Sequence, residues 1–196
     1  MPSSVPFGSM NSPDLKSAAL DYAARGFWVI PLWPGGKHPM RNFRSSEPSR
    51  DQAIIEYWWG ICPTANIGLA TGSQYNRLVV LDLDVDGHTN GIQTLKYLCA
   101  RHRIALPDTA VARTGSGGCH IYFRNPEGRS ITGCRSLFPG IDLRAEDAHV
   151  VAPPSIHENG CPYEWIHLNS SRIANCTPEL LHLLSLGNRD HPDFAI

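Results

Sequence analysis

The chain lacks any apolar run long enough to cross a bilayer. A spanning helix needs ~18 or more apolar residues, and the best stretch, "FWVIPLW" (27–33), is short and broken by a proline. The opening "MPSSVPFGSMNSP" has no charged region leading into an apolar core, so it does not read as a secretory signal. Six cysteines, Cys62, Cys99, Cys119, Cys134, Cys161 and Cys176, are scattered with no CxxC pair. Zinc ribbons and fingers draw their ligands from close pairs, so no structural zinc is expected. A disulfide framework would be unusual in 196 residues, which makes reduced thiols and a cytoplasmic setting the default. There is no surplus of positive charge either: 17 Lys and Arg against 18 Asp and Glu give a net charge of −1. Nucleic-acid binding must then rest on local patches, and "KHPMRNFR" and "ARHR" are the available ones. No Walker A motif, internal repeat or low-complexity segment is present.

What is present suits one domain with a sizeable core: 42% hydrophobic and 18% charged residues are ordinary for a globular protein. Residues 1–11 are expected to be a disordered tail or a cloning scar ("GSM" at 8–10), 12–186 one folded domain, and 187–196 a tail or linker. "SPDLKSAALDYAARG" predicts a helix with Ser12 as N-cap, Pro13 at its first position and Gly26 as its stop. "FWVIPLW" predicts a strand running into a Gly/Pro turn that exposes Lys37, and "SRDQAIIEYWWG" a second helix capped by Ser49. "NIGLATG" and Leu78–Val85 predict strands, and "GIQTLKYLCARH" a helix. "TAVARTGSGGCHIYFR" has hairpin grammar: strand, glycine-rich turn, strand. "GIDLRAEDAHVVAPPS" gives short strands at Ile141–Arg144 and His149–Ala152, "CPYEWIHL" another, and "TPELLHLLSL" a last helix capped by Thr177. Hairpins alternating with helices predict an α+β fold.

The chemistry concentrates in "RLVVLDLDVDGHTNG". Asp82, Asp84 and Asp86 fall at every second position, so their carboxylates line one side of a strand. Such crowding is unfavourable unless water or a cation compensates it. Asp86-Gly87 reads as a turn. Asp82 and Asp84 suit a pair gripping a hard divalent cation, against the plainer reading of solvated acids at a strand end. If the "GIDLR" strand lies alongside, Asp142 completes a cluster of three acids, with Arg144 on the same face. Three carboxylates can hold two cations at the ~3.5–4 Å spacing used for in-line phosphoryl transfer. In "RTGSGGCHIYFR", the glycine turn can bring backbone amides to an anion. His120 then emerges on a face shared with Tyr122 and Arg124, while Ile121 and Phe123 point to the core. The plainer reading is a hairpin turn with a surface histidine.

In this order, these motifs resemble the archaeo-eukaryotic primase superfamily, and more narrowly the bifunctional primase/polymerase N-terminal domain of phage and plasmid replication proteins. The likeness runs from about residue 15 to 165. It comprises "FWVIPLWPGGKHP", "NIGLATG" with "LVVLDLDVDG", "RTGSGGCHIYF", and "GIDLRAEDAHVVAPPS" with its Pro-Pro-Ser ending. It implies a catalytic core related to RNA-recognition-motif folds, packed on a second small α/β unit, that carries out template-directed nucleotidyl transfer with Mg²⁺ or Mn²⁺. Asp82, Asp84 and Asp142 would hold the two metals. His120 would contact the incoming triphosphate, with Ser116, Gly117 and Gly118 shaping the pocket and Arg113, Lys37 and Arg144 as further nucleotide or template contacts. The implied substrates are a single-stranded DNA template and dNTPs or NTPs, in the cytoplasm of the host if phage-encoded. Members of this family are often fused to a helicase, so the resemblance implies a helicase domain or protein in the same system as partner; no helicase P-loop is present in these residues. Glu146-Asp147-Ala148-His149 stands where the family carries a glycine-rich turn.

From the residues, Arg41, Arg44, Arg101 and Arg103 are candidates for template phosphates, each against the reading of a solvated surface charge. Trp58 and Trp59 are expected in the core rather than as stacking platforms. The rivals are a two-metal nuclease or phosphodiesterase, and a non-catalytic nucleic-acid-binding module. A rolling-circle nuclease fits poorly, since it needs paired histidines and a nucleophilic tyrosine where only His120-x-Tyr122 stands.

Overall fold

The computed structural model describes residues 14–40, 47–126, 131–167 and 173–187. Along the chain run α1 (Leu15–Ala24), β1 (Val29–Leu32), α2 (Gln52–Ile61), β2 (Asn66–Thr71), β3 (Leu78–Leu83), α3 (Gly91–His102), β4 (Val111–Arg113) and β5 (Cys119–Arg124). There follow β6 (Cys134–Phe138), β7 (Ile141–Arg144), β8 (Ala148–Ala152), β9 (Glu164–His167), β10 (Ala174–Asn175) and α4 (Pro178–Leu186). The fold is mixed α+β. A small antiparallel sheet has the order β1-β2-β8, and a larger one the order β6-β7-β3-β5-β4-β9. Beyond the first residue of β4, β10 takes its place beside β5, pairing Ala174 with Phe123 and Asn175 with Arg124.

β3 is the most apolar strand and lies at the centre of the large sheet, covered on both faces. On one face Leu78 and Val80, with Ala112 and Tyr122 from neighbouring strands, pack against Tyr22 of α1, Trp58 and Trp59 of α2, and Ile67, Leu69 and Val150 of the small sheet. On the other, Val79, Leu81, Leu83 and Phe123 pack against Leu95 and Leu98 of α3 and Leu180, Leu183 and Leu184 of α4. Both Trp58 and Trp59 are fully buried. Tyr122, expected on an open face with His120, is fully buried as well, because the small sheet and the first two helices cover that face. Asp82 comes next after Leu78 and Val80 on this face. The apolar cover stops there, and a cleft begins.

Several boundaries differ from expectation for local reasons. α1 is capped by Asp14, whose Oδ1 accepts from the Ser17 amide at 3.0 Å; Ser12 and Pro13 lie outside the described residues. α2 is capped by Asp51, not Ser49, with Asp51 Oδ1 accepting from the Ile54 amide at 3.1 Å. Ser49 instead pairs its backbone with Val29 on the edge of β1, and a residue bonded to a strand edge cannot also begin the helix. Gly26 and Thr177 act as expected, the first at φ +88° just past α1 and the second as the cap of α4. No helix among the described residues is long and apolar enough to cross a membrane.

β3 ends at Leu83, two residues earlier than expected. The Asp84 amide donates to the Gly140 carbonyl and the Asp84 carbonyl accepts from the Gly91 amide, both at 2.8 Å. Asp84 is thus pinned between the β6–β7 turn and the start of α3. Backbones meet here without room for side chains: a Cβ on Gly91 would lie 2.0 Å from the Gly140 oxygen, and one on Gly118 2.1 Å from the Leu83 oxygen. Gly118→Ala is therefore expected to cost roughly 1–3 kcal/mol in urea unfolding, as overpacking does. Gly60→Ala, at a helical position where a Cβ meets nothing within 4 Å, should be neutral or stabilising by up to ~1 kcal/mol.

Candidate active site

The site is built on strand register. Asp82 of β3 lies directly opposite His120 of β5 on one side and Asp142 of β7 on the other. Residues opposite one another in antiparallel strands share a face with Cβ atoms ~4.5–5.5 Å apart. Three polar side chains thus lie abreast at the end of an otherwise apolar face. His120 Nε2 lies 3.3 Å from Asp82 Oδ1, and Arg144 Nη2 donates to Asp82 Oδ2 at 3.1 Å. The same Arg144 nitrogen donates to Asp142 Oδ2 at 2.8 Å, and the Ser136 amide donates to Asp142 Oδ1 at 2.7 Å. Asp84, pinned past the strand end, lines the cleft, and its carboxylate takes part in no hydrogen bond among the described residues.

The electrostatics separate the acids. Burial is the largest single influence on Asp82 and opposes its charge, but His120 and Arg144 together outweigh it and hold its carboxyl at about 2. At Asp84 burial again disfavours the charge, and the neighbouring Asp82 and Asp142 add to it; Lys37 and Arg144 compensate only in part, so its pKa is raised. Asp86 is exposed, and its Oδ1 accepts from the His88 and Thr89 amides at 2.7 Å each, which makes it the turn residue expected.

Asp82 and Asp84 border a cleft of about 470 Å³, whose lining includes Lys37, His38, Thr114, Ser116, His149 and Tyr163; Asp142 lies beside it, joined through Arg144. Lys37 and His38 come from the turn after β1, brought here because His149 of β8 donates from Nε2 to the Lys37 carbonyl at 2.8 Å. Burial lowers the His149 pKa, and the nearby Arg144 and His38 act in the same direction. Tyr163 is buried between His120 and His157, with ring centroids 6.0 and 6.1 Å away. Burial, then the charges of Asp82, Glu158 and Asp84, push its hydroxyl up to about 12, so it stays protonated at neutral pH.

The loop where a glycine-rich turn was expected keeps a turn shape with other residues. Asp147 adopts φ +53°, a left-handed conformation that aspartate tolerates better than most residues. Glu146 is fixed by the Ser73 amide at 3.0 Å and the Ser73 hydroxyl at 2.9 Å. The glycine hairpin differs more. The Thr114 and Gly117 amides are spent on the hairpin itself, on the Gly118 and Thr114 carbonyls at 3.0 Å each. A Cβ on Gly115 would meet His157 at 2.3 Å. Gly117 and Gly118 do not line the cleft; Thr114 and Ser116 do, with their hydroxyls 3.0 Å apart.

Of the other sequence candidates, Arg113 lies off the cleft, its exposed side chain paired through Nη2 to Glu164 at 2.8 Å. Arg101 and Arg103 sit at the end of α3, across the sheet from the acids, and Arg101 donates to the Tyr97 hydroxyl at 3.1 Å. Arg41 and Arg44 lie outside the described residues. Polar residues of the cleft lining that were not foreseen are His38, Thr114, Arg135, Glu146, Asp147, His149 and Tyr163. The "KH" beside Lys37 and the threonine before the glycine turn were visible signals; nothing local marked Tyr163.

As arranged, no group of three or more His, Cys, Asp or Glu among the described residues is placed to hold a metal ion; the Asp82–Asp142 pair carries the Arg144 guanidinium instead. The donors nevertheless fit a hard divalent ion in kind. All three are carboxylates, one is unengaged, and their mutual repulsion raises the Asp84 pKa.

A family model described as bifunctional DNA primase/polymerase, N-terminal, matches residues 19–180. A search of curated proteins finds no match to the chain.

The lowered Asp82 pKa links stability to pH. Its contribution is fully present above the unfolded value of 3.8 and is lost as pH falls through about 2, amounting to roughly 2 kcal/mol. In urea unfolding from pH 4 to 2 without divalent ions, Asp82→Asn should flatten the pH dependence by up to about one proton. An unchanged slope would contradict the Arg144 and His120 pairing.

Proposed function

Because the chain belongs to the family of bifunctional DNA primase/polymerase N-terminal domains, a family of nucleotidyltransferases that act in replication on nucleic acid and nucleotides, we propose that it extends DNA on a single-stranded template, and makes primers, at the Asp82 cleft. The observation that carries this reading is the register that sets Asp82 between Asp142 and His120 on the floor of a cleft that Lys37, His38 and His149 also line. Asp82, Asp84 and Asp142 are the residues that would hold Mg²⁺ or Mn²⁺. Bound there, the ions would supply Lewis-acid activation of a primer 3′-hydroxyl and stabilise charge on the departing pyrophosphate.

The chain's own residues divide the remaining work. Lys37 and His38 reach the cleft from the turn after β1 and attract the triphosphate, whose charge the acids alone would repel. The Thr114 and Ser116 hydroxyls offer it hydrogen bonds. His120 fixes Asp82 through Nε2 and, on the cleft floor, sits against the bound phosphates. Tyr163, held protonated, packs on His120 and keeps that ring in place. The β7-β3-β5-β4 order with α3 across one face supports the reading of a sheet related to the RNA-recognition motif. We place the protein in phage or plasmid replication beside a helicase, in the cytoplasm.

A primed, labelled template with Mg²⁺ or Mn²⁺ tests the assignment. With dNTPs the wild type should lengthen the primer, and the Asp82→Ala/Asp84→Ala double variant should lose extension by on the order of 10³-fold or more while its circular dichroism stays native. Surviving extension would overturn the site; dNTP-independent shortening would instead identify a nuclease. Unprimed template, with NTPs and dNTPs supplied separately, then tests priming, which requires labelled product to appear without a primer.

A further inference from the structure

The cation between Asp82 and Asp142 is part of the protein. One nitrogen of Arg144 contacts Oδ2 of both acids, at 3.1 and 2.8 Å, and the two carboxylates are only 15% and 16% exposed. Without it, two facing and mostly buried charges would lose the cation that contacts both, which is costly. A divalent ion binds carboxylate oxygen at roughly 2.0–2.6 Å, so it cannot bridge those two oxygens from the place the guanidinium nitrogen holds. The other oxygens are also engaged: Asp82 faces His120 through Oδ1, and Asp142 accepts from the Ser136 amide through its own. These three partners differ in their freedom to leave. The His120 side chain is 5% exposed and Ser136 contributes backbone, whereas the Arg144 side chain is 27% exposed and borders the cleft.

We propose that Arg144 is a resident counter-ion that fills the place between Asp82 and Asp142 in the metal-free protein and swings into the cleft when a divalent cation takes its oxygens. The proposal rests on reading the three acids as metal ligands. It gives the site an order of events. The acids are kept charged and correctly spaced before metal arrives, and the guanidinium becomes free for an anionic substrate only after metal has bound. Metal binding and triphosphate binding are then positively coupled through one side chain.

The test is Mn²⁺ affinity, read from the spectrum of free Mn²⁺ in nucleotide-free protein, for wild type, Arg144→Gln and Asp82→Asn. Removing the competitor should tighten Mn²⁺ binding about tenfold. Arg144→Gln should also lower the metal-free Tm and enlarge the rise in Tm on adding Mn²⁺. In wild type, the arginine side-chain ¹⁵N signal absent from Arg144→Lys should move on titration with Mg²⁺. Metal binding that depends on Asp82 but is unchanged or weaker in Arg144→Gln would overturn the counter-ion role and leave the metal reading intact. An absence of Asp82-dependent binding would overturn both. If Arg144→Gln does not fold, the wild-type Arg144 signal decides, and one that stays still at saturating Mg²⁺ refutes the proposal.

Discussion

The antiparallel register of β7, β3 and β5 is the constraint on which the site depends. It sets Asp82 opposite Asp142 and His120 at once, and a slip of one residue would turn Asp82 into the apolar layer beneath the sheet. That register is held by burial on both faces. Val79, Leu81 and Leu83 are committed to the α3 and α4 side, while Leu78 and Val80 are committed to the side of the first two helices and the small sheet. Each alternate position is tied to its own core, so the strand has no other comfortable setting. The acids occur where the second core gives out, which makes the edge of a hydrophobic layer also the floor of a cleft.

The small sheet contributes more than cover. β2 pairs with both β1 and β8, and the His149–Lys37 hydrogen bond fastens the turn after β1 to β8. That turn brings Lys37 and His38 over the acids, so cleft residues come from both sheets. Acidic and basic side chains thereby line the same cleft, an arrangement suited to an anionic substrate. Glu146 and Ser73 tie the β7–β8 loop to the β2–β3 loop in the same way.

Much of this was legible in the sequence because it depended on short periods. The two-residue alternation of "LVVLDLD" puts Asp82 on a definite face, and "GIDLR" does the same for Asp142 and Arg144. Thr177 ahead of "PELLHLLSL" marks a helix start. What sequence could not show is what covers each face and what each side chain meets. Tyr122 read as an open-face residue because nothing local announces the small sheet above it. The glycines of the "TGSGG" turn read as an anion cradle, yet Gly115 and Gly118 permit close contacts with His157 and the end of β3. The Asp82–Arg144–Asp142 bridge was invisible because it depends on one side chain reaching across two strands. β6 and β10 were missed since one is interrupted by a register shift and a positive φ at Ser136, and the other spans two residues.

The central claim is that these three carboxylates are a divalent-cation site at the heart of a nucleotidyl-transfer cleft. Anomalous diffraction from crystals grown with Mn²⁺ and a non-hydrolysable dNTP measures that directly. The account predicts Mn²⁺ peaks at roughly 2.1 Å from carboxylate oxygens of Asp82, Asp84 and Asp142, with Arg144 turned away from Asp142 and the triphosphate near Lys37. An ordered nucleotide with no anomalous peak at these acids, or peaks on other residues, would contradict it.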